Sequence, residues 1–195
     1  MKIDTHTSLA KLAIDKVQTM LPEWEISGLM EKAIMFGAIE ADFNPIRFVK
    51  PHYYTRSGDT VLTSIDNLLE NRLKLRPVEI GTIVHYLQDF CCYAHFGENA
   101  GDLQKHIEYE KKLKAGFYKN VFELTMLKLP MPKKEDSVEF IKYLIEKYRK
   151  EVPSVENDLL YSLNALTVFL FNAVQSVFEY EFVLAKPLKE NFVIV

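Results

Sequence analysis

With 195 residues, 48% hydrophobic and 26% charged, the chain is long enough to bury a core. A net charge of −3 without basic or acidic blocks argues against a nucleic-acid binder and against a disordered tail. Only two cysteines are present, the neighbours Cys91 and Cys92, and adjacent cysteines make no disulfide framework.

Met1-Lys2-Ile3-Asp4-Thr5-His6 lacks the apolar run of a signal peptide. As written the chain is expected to be cytoplasmic, and secreted if a leader was removed. After His6, the spacing of Leu9, Leu12, Ala13, Val17 and Met20 predicts a helix that Pro22 ends. Ser27 is placed to cap a second helix through Met30, Ala33, Ile34 and Ile39. This helix leads to Asp42, just ahead of the Asn44-Pro45 break. An aromatic loop around His52 follows. Asp59 is expected to cap a third helix over about 60–75, and Pro77 suits the first turn of a fourth. Gly97 and Gly101 mark the connection to a fifth. Lys128 to Lys134, with two prolines, reads as a loop. Asp136 and Glu139 form a capping-box pattern for a sixth helix to about Lys150.

Pro153 and Ser154 open a last long helix, expected to end near Leu184. Within it, Leu159 to Phe178 carries no charge and is long enough to span a bilayer. Tyr161, Asn164, Asn172 and Gln175 share one face, however, and both flanks are acidic: Glu156 and Asp158 before, Glu179 and Glu181 after. A spanning helix should carry a Lys/Arg bias at one end, so the segment reads as the buried central helix of a bundle. With no strand pattern before Phe192 to Val195, no repeat and no linker, the expected class is all-α: one helical-bundle domain over 1–195.

The chemistry concentrates between Ile83 and Glu110. His85 and Asp89 are four apart, as are His106 and Glu110. Residues four apart stand one above the other on a helix, so each pair can present two ligands in one direction. His95 falls where a helix carrying the first pair would end. Three imidazoles and two carboxylates, with no thiolate, suit zinc in a hydrolytic site between facing helices. Any one histidine alone reads better as a core or surface residue; it is the ordered set that carries weight.

The ordered set resembles the zinc-dependent phospholipase C family, whose fold and metal cluster are shared with the S1/P1-type nucleases. Gly37 to Pro45 is similar to the family's Gly-x-x-x-Ala-Asp-x-x-Asn-Pro segment. His85-Tyr86-Leu87-x-Asp89, with His95 six further on, is similar to His-Tyr-Leu-x-Asp-x5-His. His106-x-x-Tyr109-Glu110 is similar to His-x-x-Tyr-Glu. The likeness runs from His6 to Tyr180. It implies two to three zinc ions in a trinuclear cluster: Asp42, His52, His85 and Asp89 on one, His95, His106 and Glu110 on another, and His6 with Asp89 on a third. The third would also take main-chain atoms of residue 1, which is Met1 here and Trp in the family. Three divalent cations against three carboxylates would leave the site positive and attractive to phosphate.

The resemblance implies a phosphodiester hydrolase in which zinc-bound hydroxide attacks phosphorus, Asp42 orients or deprotonates the water, and a phospholipid gives diacylglycerol and a phosphorylated headgroup. Zinc lowers the pKa of bound water to about 7, which makes that nucleophile available at neutral pH. Peripheral contact with a membrane is expected and no nucleic-acid partner is favoured. A nuclease or nucleotidase on the same fold is the second reading. A helical protein that holds zinc without turnover is the third. Phe43, Phe48, Tyr53 and Tyr54 flank the ligand loop, either lining a headgroup pocket or packing in the core or at the rim. Cys92, seven residues after His85, would share its helical face, either approaching the cluster or, as the better reading, packing as a small buried thiol.

Overall fold

A computed structural model describes residues 3–23, 25–43, 52–70, 76–96 and 102–190, with side chains of the last helix described to 176. Seven helices account for the architecture, and no strand occurs among the described residues. They are α1 (Ile3–Met20), α2 (Gly28–Phe43), α3 (Tyr54–Glu70), α4 (Pro77–Phe90), α5 (Leu103–Met126), α6 (Ser137–Tyr148) and α7 (Val155–Glu190). The all-α class follows directly.

Helix starts obey local chemistry where a side chain is free to reach the first turn. Ser27 Oγ accepts the Met30 N–H at 3.2 Å, and Ser154 Oγ accepts that of Asn157 at 3.0 Å. Asp102 caps α5 by accepting from Gln104 and Lys105, both at 3.1 Å. Pro77 occupies the first turn of α4, where its missing N–H costs nothing.

Two expected caps are not used. α3 begins at Tyr54, so Asp59 lies inside the helix; the Tyr53 carbonyl accepts from Arg56 and Ser57 and closes the first turn earlier. Asp136 makes no side-chain cap to α6 because a 3-10 turn over Lys134–Asp136 holds its backbone in the helical region, turning the carboxylate away. α6 also stops at Tyr148 rather than about Lys150, and α7 runs on to Glu190, past Leu184.

α7 is the centre of the bundle, with α1, α3, α4, α5 and α6 packed around it. Leu159, Leu163, Leu166, Phe169 and Leu170 are buried. Val155–Ser176 is long and apolar enough to cross a membrane by length and composition, yet 83% of that window is buried against the other helices. This matches the reading of a core helix.

The closest approach in the fold sets up the site. α2 lies on α4 at Gly37 and Gly81. A Cβ on Gly37 would overlap the Val78 carbonyl, and one on Gly81 would overlap that of Ile34. Only glycine lets the two backbones touch. This contact brings the C-terminal end of α2, with Asp42, beside His85 and Asp89 of α4. Elsewhere α1 and α5 run parallel and are joined near both ends of α1, to the middle and the C-terminal end of α5. Lys114 pairs with Asp4, and Lys16 Nζ donates to the carbonyls of Thr125 and Leu127, each at 2.8 Å. The second contact satisfies the orphan carbonyls at the end of α5.

Candidate metal centre

His85 and Asp89 point the same way from α4 because they are one turn apart, and both are completely buried. Asp89 is the hub. Its Oδ2 lies 3.0 Å from His52 Nδ1 and 3.2 Å from His85 Nε2. Its Oδ1 lies 3.1 Å from His95 Nε2 and 3.5 Å from His6 Nε2. Four histidines from separate parts of the chain thus converge on one carboxylate. Asp42 adds a second carboxylate, its Oδ1 3.6 Å from His52 Nδ1 and 3.7 Å from His85 Nε2. On α5, His106 Nε2 meets Glu110 Oε1 at 2.9 Å. The His106 and His95 rings meet edge to face, 4.9 Å between centroids.

Ligand atoms therefore fall into three groups, each within 4.8 Å: His6, His85 and Asp89; Asp42, His52 and His85; His95, His106 and Glu110. The eight described candidates are brought together. Met1 lies outside the described residues. So do Phe48 and the glycines at 97 and 101. His85 belongs to two of the groups, and Asp89, in the first, reaches His52 of the second and His95 of the third.

The donor chemistry fits zinc: imidazole nitrogens and carboxylate oxygens, without thiolate. The outer face of the cluster fits too. His85 Nδ1 donates to the Ala38 carbonyl at 2.9 Å, His106 Nδ1 to the Ala94 carbonyl at 3.1 Å, and His6 Nδ1 to Gln88 Oε1 at 2.9 Å. Gln88 is itself fixed, because its Nε2 donates to the His6 carbonyl at 3.2 Å. Each bond fixes a proton on the outer nitrogen, so that the neutral ring carries its lone pair on the inner nitrogen facing the carboxylates, the orientation that metal-binding histidines need. His6 Nε2 and His52 Nε2 are buried with no hydrogen-bond partner among the described residues.

Electrostatics separates the carboxylates. Burial works against the Asp89 charge, but His95, His85 and His6 outweigh it and hold its carboxyl well below the usual range. Burial likewise opposes Glu110, yet the His106 hydrogen bond brings it down to about 2. Asp42 moves the other way: burial pushes it above the usual carboxylate value. It is also the most accessible of the three, its side chain 29% exposed against none for Asp89. Among the histidines, burial drives His6 far down and His95 to about 4, so both are neutral lone-pair donors at pH 7.

Other expectations resolve simply. α4 ends at Phe90, so Cys92 lies beyond the helix and shares no face with His85; it is a buried, free thiol. Tyr53 sits 6.4 Å from the His95 ring, Tyr54 packs on Phe90 in the core, and Phe43 stands exposed beside Asp42. The sequence reading missed Gln88, though its place between His85 and Asp89 hinted at it. It also missed the Ala38 and Ala94 carbonyls, which no side-chain pattern could reveal.

Comparison with known proteins agrees in kind. A family model described as zinc dependent phospholipase C matches residues 5–159. No curated protein and no solved structure matches.

Proposed function

The chain belongs to the zinc-dependent phospholipase C family, and from that premise we propose that residues 1–195 act as one domain hydrolysing a phospholipid to diacylglycerol and a phosphorylated headgroup. The observation that carries this reading is the convergence of three donor groups in which His6, His85 and His106 face carboxylates with the inner nitrogen while the outer nitrogen is tied back. Two or three zinc ions would be held, by Asp42, His52, His85 and Asp89, by His95, His106 and Glu110, and by His6 with Asp89 and main-chain atoms of Met1. When bound, zinc supplies acidity to a coordinated water and neutralises charge on the phosphoryl oxygens.

The chain's own residues do the rest. Asp42, raised in pKa and open to solvent on one side, orients the attacking water and takes its proton. Asp89 holds four imidazoles in place. Ile3, Phe43, Leu103 and Ile107 are exposed, each within three residues in sequence of His6, Asp42 or His106. Exposed apolar side chains so close in sequence to the ligands suit peripheral contact with a lipid surface more than a polynucleotide, which supports the lipid substrate over the nuclease reading.

The test measures zinc content together with hydrolysis of p-nitrophenyl phosphocholine and bis-p-nitrophenyl phosphate, for wild type and Asp42→Asn. Two or three zinc per chain are expected, with turnover of the choline ester reduced by about 100- to 10,000-fold in the variant. Preference for the second ester would move the assignment to a nuclease. Zinc without turnover of either would make this a zinc-holding binding protein.

A further inference from the structure

Asp158 lies in the first turn of α7 and is completely buried, though it is none of the eight site residues. A buried carboxylate is costly unless its oxygens are bonded, so its partners account for its presence. Oδ1 accepts the Tyr148 hydroxyl from α6 at 2.7 Å, and Oδ2 accepts the backbone N–H of Tyr93 at 3.0 Å.

Tyr93 opens a 3-10 turn, Tyr93–His95, and the first N–H of such a turn has no partner within it. Cys92, in the capping position, supplies no side-chain bond to the turn; its side chain bonds Asp158 instead. Asp158 therefore acts as a cap delivered from a different helix. The turn has two outputs. It carries His95, whose Nε2 reaches Asp89 at 3.1 Å, and it carries the Ala94 carbonyl that fixes His106 at 3.1 Å. The surrounding rings hold the arrangement. Tyr109, one residue before Glu110, packs edge-on against Tyr93 at 5.6 Å, and Phe96 packs against Tyr148 at 5.3 Å.

We propose that Asp158 is a positioning residue for zinc at the His95, His106 and Glu110 group, acting through the backbone of the Tyr93–His95 turn. The proposal rests on reading that group as a zinc site. It makes α7, which carries none of the eight site residues, a support of the cluster from outside.

Zinc titration against a chromophoric chelator, with the visible spectrum of the cobalt-substituted protein, tests it. Outer-shell substitutions typically weaken metal binding by about 10- to 100-fold. Asp158→Asn, which keeps one acceptor oxygen and the shape, should weaken a single zinc by about 10-fold. Asp158→Ala should weaken the same zinc by about 100-fold and change the cobalt spectrum of that site alone. Tyr148→Phe removes the Tyr148 bond to Asp158 but leaves the Tyr93 cap, so it should lower Tm while leaving zinc affinity near wild type. If the alanine variant does not fold, the asparagine and phenylalanine variants still separate the two roles. Asp158→Asn holding every zinc as tightly as wild type would overturn the proposal alone, as would an equal loss at all sites with the Tm. A wild-type protein that binds no zinc would overturn the zinc reading and this proposal with it.

Discussion

The cluster and the middle of α7 bury polar groups equally well but treat them in opposite ways. In α7, Thr167 donates to the Leu163 carbonyl at 2.7 Å, Asn172 to Val168 at 2.8 Å and Ser176 to Asn172 at 2.7 Å. Each of these three donors is buried and bonds back onto its own helix, although the Asn164 and Asn172 amide oxygens are buried without a partner among the described residues and Ser162 reaches across to the Gln88 and Cys91 carbonyls. In the cluster, His6, His85 and His106 bond outward with one nitrogen and crowd inward with the other; His6 Nε2, which faces inward, and His52 Nε2, on the far side of a ring whose Nδ1 faces Asp89, have no hydrogen-bond partner among the described residues. Burial alone does not mark a functional site. What marks this one is polar groups from four helices, the 3-10 turn and the stretch before α3 turned toward one another instead of back onto their own backbone.

The largest expected effect tests that contrast. If the inward nitrogens await a cation, removing zinc with EDTA should lower stability, by about 4 kcal/mol for an ion present at a thousand times its dissociation constant. Thermal unfolding with and without chelator measures it, and an unchanged Tm would mean that the cluster closes on itself as α7 does. Next comes Gly81→Ala. The added Cβ meets the Ile34 carbonyl, which belongs to a helix backbone and cannot step aside. Overpacking of this kind costs about 1–3 kcal/mol. Because α2 would be pushed off α4, denaturant unfolding should show the loss together with reduced zinc content. A stable variant with full zinc would separate the glycine contact from the site. The smallest effect belongs to the other region. Thr167→Val removes a hydrogen bond that only doubles an existing backbone acceptor, so stability should change by no more than about 1 kcal/mol with zinc content unaltered. A larger loss would mean that the polar groups of α7 are less self-contained than their hydrogen bonds indicate.

Much of this was readable from periodicity, because periodicity records what local geometry dictates. His85 and Asp89 had to share a face once a helix followed Pro77, and Asp42 had to stand at the end of a helix before Asn44-Pro45. The apolar run of α7 was legible as core from its acidic flanks and polar face. Boundaries set by backbone rather than side chains were not legible. The Tyr53 carbonyl starts α3 five residues ahead of Asp59, and a 3-10 turn takes Asp136 out of capping position. Cys92 left its predicted face for the same kind of reason, since α4 ends at Phe90. Asp158 is the sharpest case. Near a helix start, an acid is ordinarily explained by the helix dipole. Its bond to Tyr93, 65 positions away, exists only in three dimensions.

The two ties between α1 and α5 carry one more consequence. Asp4 to Lys114 and Lys16 to Thr125 are separated by nearly the same stretch of each helix, about three turns. Two parallel rods pinned at two points cannot slide by one turn without releasing both pins at once. His6 rides on one rod, and His106 and Glu110 ride on the other. Two partly exposed lysine contacts outside the cluster thus favour the register that brings its two sides together, each of them only weakly.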